Sequence, residues 1–348
     1  MNKIFFLTFY VFSIILFPQT RELKFELAGY KSLDSLVSFR GICTVDKNTV
    51  WISGSKGSVY FTRDGGEKWR KVKVPQSDSL DFRDIEVTAP GVIVLMSSGA
   101  GEKSRIYRSD DNGKKWRIVY QNFYNDGFLD TIEFWNEKNG IAIGDPVKGK
   151  FDILLTTDGG NNWCEPPGKN IPDAFVGEAQ FAASGTCVSV SGNNVAWIAT
   201  GGTKARILKT TDKGLTWRVF DTPILHSQPS EGIFSIHFSG RNIGLIVGGN
   251  YLKENDKDST SAFSVDGGRT WKLNPSGHLP YQSSVKSIKI NNRIYYISTG
   301  PAGTFYTDNQ NNWRVAEKAG FHCISISGKD NTIWLAGSNG RVARLIIK

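Results

Sequence analysis

The chain has few cysteines, and none is arranged as in a metal or haem site. Only four occur in 348 residues: Cys43, Cys164, Cys187 and Cys323. None forms a CxxC or CxxCH motif, and the four histidines have no partner at ligand spacing. We therefore expect no metal and no cofactor. Cys43 and Cys323 fall in predicted inner strands as small buried residues. The sequence does not decide whether Cys164 and Cys187 form a disulfide.

The sequence also lacks sustained helical periodicity. No GxGxxG motif occurs on a strand–turn–helix unit. These absences argue against a nucleotide-binding α/β fold and give no support to an oxidoreductase function. Short runs of β-branched and aromatic residues alternate instead with Gly, Asn and Asp turns, a pattern that predicts an all-β protein.

Long apolar runs are absent except at the N terminus. Lys3 precedes an apolar run over residues 4–17. This pattern predicts a secretory signal peptide at residues 1–20, with cleavage near Thr20. The run is shorter than the roughly 20 residues of a typical spanning helix, and no cysteine follows it for a lipid anchor. We expect a periplasmic or secreted protein, and an uncleaved membrane anchor is the alternative.

One short motif, Ser/Thr-x-Asp-x-Gly-x-x-Trp, is repeated through the chain. Five copies lie at 62–69, 109–116, 156–163, 210–217 and 264–271, and a degraded sixth lies at 306–313. The tryptophans are 47, 47, 54, 54 and 42 residues apart, which indicates a repeat architecture. Asp holds a tight turn through backbone N–H groups, Gly permits the backbone conformation, and Trp packs on the sheet. Six equivalent copies favour a structural role over catalysis. The predicted structural residues are Asp64, Asp111, Asp158, Asp212, Asp266 and Asp308, with Trp69, Trp116, Trp163, Trp217, Trp271 and Trp313.

Each repeat is typical of a four-stranded antiparallel blade, with the motif between the third and fourth strands. Seven second strands can be aligned, but the seventh repeat ends without a fourth strand. The run at residues 22–28 can supply it and close the ring. We predict a single domain over 21–348, a seven-bladed β-propeller. The predicted blades cover 39–75, 82–121, 128–166, 178–222, 231–274, 284–317, and 320–348 with 22–28.

Ligands of propellers bind mostly at one channel end, where the loops preceding the inner strands meet the loops that follow the second strands. The repeated Asp turns belong to the opposite end. Alignment of the inner strands places a ring of polar residues at the predicted mouth. The candidate binding residues are Arg40, Arg83, Asp130, Asp145, Glu178, Glu231, Lys286 and His322. The same ring also includes Ser98, Lys148, Thr186, Lys204, Phe234, Tyr251, Pro301 and Asn339. A basic arc over blades six, seven, one and two would face an acidic arc over blades three to five. Such a mouth suits a polar ligand or an extended peptide, while a solvated channel with balanced charges is the alternative.

The formal net charge is +9, with 42 Lys and Arg against 33 Asp and Glu. A positive charge favours acidic partners such as anionic lipid headgroups, acidic glycans or an acidic protein surface. The basic residues are spread over every repeat, so a role in solubility alone stays open. No nucleic-acid-binding motif occurs, and we expect no nucleic acid partner.

With these features in place, the chain resembles the BNR/Asp-box propellers, and more narrowly the photosystem II stability/assembly factor-like proteins of bacteria. The resemblance covers residues from about 22 to the end. The matching segments are FRGI (39–42), DFRDIE (81–86), SRIYRSDDNGKKW (104–116), GDPVKGKF (144–151), FAASGT (181–186), GIFSIHF (232–238) and GRVARL (340–345). It implies a non-catalytic assembly factor that docks on a membrane-protein subunit, with Arg40 and Arg83 as contact candidates.

The sequence predicts a monomeric, exported, non-catalytic propeller that binds a protein or peptide partner and assists assembly or stability of an envelope complex. A sialidase-like glycoside hydrolase is the alternative, because sialidases share the Asp motif. That chemistry needs three arginines and a Tyr–Glu pair, and the sequence places two arginines and no such pair at the mouth. The carboxylates Asp130, Asp145, Glu178 and Glu231 are candidates for an acid/base pair. The third alternative is an oxidoreductase, an activity assigned to many members of the resembled group.

Overall fold

The structure is a computed structural model that describes residues 23–167, 170–274, 279–308 and 312–348. Seven antiparallel sheets surround a central channel, which confirms the predicted seven-bladed β-propeller. The predicted signal peptide lies outside the described residues. In the described part of the chain, the helical residues form two three-residue 3-10 turns, Gly101–Lys103 and Ser338–Gly340. No helix there has the length and apolarity needed to cross a lipid bilayer.

The strands are named in chain order. The first strand is β1, Phe25–Ser32. Blade one contains β2 Phe39–Thr44, β3 Val50–Gly54, β4 Ser58–Thr62 and β5 Arg70–Val72. Blade two contains β6 Asp81–Ala89, β7 Val92–Ser98, β8 Arg105–Ser109 and β9 Arg117–Gln121. Blade three contains β10 Leu129–Phe134, β11 Gly140–Val147 and β12 Lys150–Thr156. In place of a fourth strand, β12 forms two isolated bridges, from Leu155 to Cys164 and from Lys150 to Asp173.

The remaining strands complete the ring. A short antiparallel pair, β13 Glu178–Ala179 with β16 Gly201–Gly202, extends the sheet of blade five. Blade four contains β14 Val188–Ser191, β15 Val195–Ala199, β17 Arg206–Thr210 and β18 Arg218–Asp221. Blade five contains β19 Glu231–Phe238, β20 Gly244–Asn250, β21 Ser261–Ser264 and β22 Lys272–Leu273. Blade six contains β23 Ser284–Ile290, β24 Arg293–Gly300, β25 Gly303–Thr307 and β26 Arg314–Glu317. Blade seven contains β27 Cys323–Ile326, β28 Ile333–Ala336 and β29 Arg341–Ile347.

The N-terminal strand closes the ring, as the missing fourth strand of blade seven predicts. Strand β1 pairs antiparallel with β29, from Phe25 opposite Ile347 to Ser32 opposite Arg341. The strand begins and ends later than the predicted 22–28. A register shift between Ala28 and Lys31 lets it continue to Ser32. The first and last strands of the chain therefore share a sheet and seal the circle through backbone hydrogen bonds.

The repeated aspartates shape turns that also join neighbouring blades. In blade one, a carboxylate oxygen of Asp64 accepts hydrogen bonds from the Lys68 N–H at 2.9 Å and the Thr62 hydroxyl at 2.8 Å. These bonds lower the pKa of Asp64. Gly66 has φ +91°, and a Cβ there would lie 2.4 Å from the ring of Trp334 in blade seven. The turn thus needs glycine both for its backbone conformation and for packing against the preceding blade.

A bulge interrupts the inner strand of four blades at the same level of the channel. The pairing register skips Arg40 in blade one, Arg83 in blade two, Asp130 in blade three and Phe234 in blade five. A bulged residue is released from the ladder and its side chain is re-aimed. The bulges therefore place four side chains at one end of the channel, which we call the upper end.

A stretch of chain between blades three and four, residues 181–186, divides the channel. We call it the crossing segment. Its Ser184 hydroxyl donates to the Ser283 carbonyl of blade six at 2.6 Å, and its Gly185 carbonyl accepts from Thr131 of blade three at 3.0 Å. The Thr186 carbonyl accepts from the Ile236 N–H of blade five at 2.9 Å. Because three blades hold the segment, the channel becomes two separate cavities.

All four cysteines are free thiols. Cys187 and Cys323 are buried, Cys43 is half-buried and Cys164 is exposed. Burial raises the pKa of the Cys187 and Cys323 thiols, which keeps them protonated. Cys164 and Cys187 do not form the disulfide that the sequence left open.

Candidate functional site

The upper cavity contains three of the eight candidate binding residues, Arg40, Arg83 and His322, together with Phe234, Tyr251 and Pro301 of the same predicted ring. Its volume is about 380 Å³, and we call it the arginine pocket. The crossing segment forms its floor through Ala182 and Ala183. The remaining lining residues are Phe181, Glu254 and Tyr281. The site therefore combines two cations with aromatic walls.

The two arginines differ in how their charges are balanced. Arg83 forms an ion pair with the Asp81 carboxylate, with both Nε and Nη2 at 2.7 Å from Oδ2. Its Nη1 donates to the Ala182 carbonyl at 2.6 Å. Arg40 donates to the Ala183 carbonyl at a longer 3.3 Å, and no carboxylate of the described chain pairs with it. Arg40 thus carries the uncompensated positive charge of the pocket.

Burial and the neighbouring Arg83 lower the pKa of Arg40. A guanidinium nevertheless stays protonated at neutral pH. The same burial, with Arg40 beside it, lowers the pKa of His322 to about 3, so this imidazole is neutral at pH 7. The neutral histidine leaves the half-buried Arg40 as the unpaired cation of the pocket, while the lining residue Glu254 is exposed to solvent.

Four aromatic rings form one wall of the arginine pocket. The rings of Phe181 and Phe234 are stacked with centroids 3.9 Å apart, and Tyr281 meets Phe234 edge-on at 4.8 Å. Tyr251 lies edge-on to both phenylalanines. Phe234 takes the bulged position that arginine takes in blades one and two. This wall can bury an apolar or aromatic side chain next to the charge.

The acidic residues predicted at the mouth lie behind the pocket, where they hold loops. Glu178 is fully buried and pairs with Arg206, at 2.8 Å to Nε and 2.5 Å to Nη2. Glu231 accepts from the Gln228 N–H and the Asn250 amide, both at 3.2 Å. In the structure these two carboxylates are not open to a ligand, because Arg206 on β17 and Asn250 on β20 bind them from neighbouring strands.

The other two predicted acids are also withdrawn from the opening. Asp130 is buried, and burial together with the neighbouring Asp145 raises its pKa. Asp145 accepts from the Gln180 N–H at 2.9 Å, and burial raises its pKa to about 6. Both carboxylates lie close to the chain that leads into the crossing segment. Both carboxylates therefore interact with that part of the chain, and neither lines the arginine pocket.

Lys286 is the predicted mouth residue that the structure moves furthest. It lines the cavity on the other side of the crossing segment, with Glu86, Glu133 and His237. The inner strand of blade six pairs without a register shift from Ser284 to Ile290. The sequence alignment places Lys286 level with Arg40. Because β23 lacks the bulge that β2 has, Lys286 instead lies deeper along the channel.

Several pocket residues carry no strong signal in the sequence. Tyr281 and Glu254 lie in irregular connections whose path only the fold determines. Phe181 belongs to the resemblance segment 181–186, which was the available signal. Within the described ranges, no group of three His, Cys, Asp or Glu side chains is arranged to hold a metal ion.

Fold and pocket together define a seven-bladed propeller with a basic, aromatic-lined mouth at one channel end. The solved structures that it resembles include one titled "YCF48 bound to D1 peptide". That match has a TM-score of 0.63 and 14% identity, and it covers 94% of this chain and 99% of the other. YCF48 from Cyanidioschyzon merolae matches with a TM-score of 0.62 and 16% identity, over 91% and 98% of the two chains. No family model and no curated protein matches the sequence. At these identities the likeness establishes the fold.

Proposed function

We propose that this protein is a non-catalytic binding protein whose arginine pocket takes a carboxylate-bearing peptide segment of a partner protein. The observation that carries the proposal is the Arg40 guanidinium, which is half-buried beside Arg83 and has no carboxylate partner in the described chain. A partly desolvated cation without a counter-ion is costly, and a ligand carboxylate would reduce that cost. Guanidinium groups bind carboxylates through paired N–H donors.

The aromatic wall indicates what accompanies the carboxylate. Phe181, Phe234, Tyr251 and Tyr281 surround the space beside Arg40, so an apolar or aromatic residue next to the ligand carboxylate can pack there. A chain terminus or an acidic side chain followed by an apolar residue has this chemistry. The volume of about 380 Å³ accommodates a short segment of a peptide, not a folded domain.

The proposed cellular role is supported by the leader and by the structural likeness. The N-terminal 20 residues have the composition of a secretory signal, which supports action in the periplasm or outside the cell. One similar structure holds YCF48 with a D1 peptide, which supports a peptide partner here. We infer that this protein acts as a monomer and assists the assembly or stability of an envelope protein complex.

The test is partner capture followed by peptide binding. Immobilised protein should recover a specific partner from envelope extract, and a peptide from its contact segment should bind in solution. Arg40→Glu with Arg83→Glu should weaken binding at least about 30-fold, because truncating one side of a buried charge pair costs about 2 kcal/mol or more. Amidation of the peptide carboxylate should weaken binding to the unchanged protein to a similar degree.

Arg218→Glu with Arg70→Glu is the matched control, since both arginines are exposed on outer strands, Arg218 on β18 of blade four and Arg70 on β5 of blade one. This pair of changes lowers the net charge by the same amount but lies far from the channel, so binding should be retained. Equal binding by the double variant and the control would reject the arginine pocket as the site. Turnover of the peptide would reject the non-catalytic role.

A sialidase-like activity stays the second candidate because of one observation. Tyr281 and Glu254 line the same pocket as the two arginines, so a Tyr and a Glu are present where the sequence placed none. Burial raises the pKa of Tyr281, which disfavours a phenolate nucleophile. A fluorogenic sialoside decides between the two: turnover that is lost in Tyr281→Phe would support the hydrolase and overturn the binding-protein proposal.

A further inference from the structure

The cavity below the crossing segment is separate from the arginine pocket. Its volume is about 340 Å³, and Ser184, Gly185 and Thr186 form its ceiling. We call it the lower cavity. Its size lies within the range of roughly 300–1,000 Å³ that is typical of small-molecule sites. The closed ceiling makes it a blind cavity for ligands that enter from the end with the Asp turns.

Two glutamates lie on one side of the lower cavity, on the inner strands of neighbouring blades. Glu86 is on β6 and Glu133 is on β10. In the described chain, the contact made to the Glu86 carboxylate is the Cys43 thiol, at a weak 3.9 Å. The Glu133 carboxylate accepts from the Phe134 N–H at 3.3 Å. Most of the hydrogen-bonding capacity of both carboxylates is therefore unused.

Lys286 lies in the same cavity, on β23 of blade six. No described residue forms an ion pair or hydrogen bond with its ammonium group, although both glutamates share the cavity with it. Blade six lies across the ring from blades two and three. A cavity with unpaired carboxylates on one side and an unpaired ammonium on the other is complementary to a molecule that carries both charges.

The other titratable neighbours do not compensate these charges. Burial, with Lys286 nearby, lowers the pKa of His237 to about 3, so this imidazole is neutral. Asp84 is already used structurally, because its Oδ2 accepts from the Thr131 hydroxyl and the Ile132 N–H, both at 2.8 Å. Cys43 contributes a neutral thiol whose pKa burial raises. The ionisable groups without an ion-pair partner in contact are thus Glu86, Glu133 and Lys286. Burial raises the pKa of both glutamates, and the nearby Lys286 opposes this shift.

We propose that the lower cavity binds a small zwitterion such as a free amino acid, with the ligand ammonium at Glu86 and Glu133 and the ligand carboxylate at Lys286. A diamine would leave Lys286 facing like charge, and a dicarboxylate would do the same to the glutamates. A zwitterion compensates both sides at once. The crossing segment keeps this site distinct from the peptide site.

The test is isothermal titration calorimetry of the full mature protein with probes of matched length. The zwitterions are ω-amino acids from glycine to 6-aminohexanoate, and the comparison ligands are 1,4-diaminobutane and succinate. At least one zwitterion should bind at one molecule per protein, at least tenfold more tightly than both comparison ligands. Lys286→Met and Glu133→Gln should each weaken that binding about tenfold or more.

Lys114→Met is the control, because Lys114 is exposed in an Asp turn at the same end and lies outside the cavity. It should bind the zwitterion like the unchanged protein. Thermal unfolding confirms that each variant is folded before titration. Absence of binding by every zwitterion, or binding unaffected by both cavity variants, overturns the proposal. Tightest binding by the diamine overturns it too, since Lys286 would then have no role.

The peptide assay separates this site from the arginine pocket. Arg40→Glu with Arg83→Glu should leave zwitterion binding unchanged, and Lys286→Met should leave peptide binding unchanged. Loss of both ligands in either variant would mean that the two cavities act as one site, contrary to the proposal.

Discussion

At the upper end of the channel, Arg83 is paired with Asp81 and Glu178 with Arg206, so that Arg40 keeps the free charge. At the lower end, Lys286 shares a cavity with Glu86 and pairs with no described residue. The same inner strands line both ends. The neighbours of each channel residue, on its own strand or on an adjacent one, therefore decide whether it is structural or available to a ligand.

The two ends differ in what lies beside the channel residues. At the upper end, a neighbouring strand and a connection both supply donors, as Asn250 at the end of β20 and Gln228 do for Glu231. The turns at the lower end are short, and their polar side chains serve the turn itself. Asp46 accepts from the N–H groups of Asn48 and Thr49, and Asn136 does the same for its own turn. These side chains are therefore used within their own turns and do not pair with residues of the channel.

The largest expected effect tests whether the upper acids are structural. Glu178→Ala leaves the guanidinium of Arg206, whose side chain is 10% exposed, without its carboxylate. We expect the free energy of unfolding to fall by about 3–5 kcal/mol, measured by denaturant titration. Asp173→Ala, which removes a solvent-exposed ion pair with Lys150, is the control and should cost much less. Equal losses would mean that Glu178 is not part of the scaffold.

The next-largest effect tests whether the crossing segment packs tightly between the two ends of the channel. Gly185 has φ +65°, and a Cβ there would lie 2.4 Å from Oδ1 of Asp84. Gly185→Ala should cost about 1–3 kcal/mol in backbone strain alone, and more because Asp84 must move. Gly29→Ala is the control, since Gly29 has φ +60° and no atom within 4 Å of the new Cβ. If the two variants unfold at the same denaturant concentration, the crossing segment is not pressed against Asp84.

A smaller effect tests whether the Asp turns belong to a site. Oδ1 of Asp266 accepts from the N–H groups of Arg269 and Thr270, both at 3.0 Å. Although partial burial opposes ionisation, the Thr270 hydrogen bonds lower the pKa of Asp266 to about 2. Asp266→Ala should cost about 1 kcal/mol, because water screens this open turn. Peptide and zwitterion binding should both persist, and loss of either would contradict a purely structural role.

The smallest effect concerns the uncompensated charge at the lower end. Burial raises the pKa of Glu133 above its ordinary value of 4.5. The unfolded chain loses this proton at lower pH than the folded protein, so Glu133 destabilises the fold as pH rises above 4.5. Glu133→Gln should therefore gain stability relative to the unchanged protein between pH 5 and pH 8, by on the order of 1 kcal/mol.

Thermal or denaturant unfolding at both pH values measures this difference. Glu137→Gln is the control, because Glu137 is exposed in the turn that follows the same strand. Its stability relative to the unchanged protein should not depend on pH. A Glu133→Gln variant that loses stability as pH rises would show that this carboxylate is compensated within the protein.

Much of the fold could be predicted because its determinants are local and repeated. Each copy of the Asp motif specifies one turn, and the seven second strands repeat one short pattern. The missing last strand indicated closure by the N-terminal strand, which the pairing of β1 with β29 confirms. The site was predicted less completely. Arg40, Arg83 and His322 meet as expected, whereas Lys286 was displaced because bulges are not visible in a strand alignment.

The sequence alone determined the number of blades, the closing strand and the side of the ring on which the Asp turns lie. These follow from turn chemistry and strand periodicity within a few residues. The tertiary structure decided which charges stay free. Glu178 meets Arg206 across 28 residues of chain, and Arg83 meets the Ala182 carbonyl across 99. Such pairings depend on where loops return in space, and no local pattern encodes them.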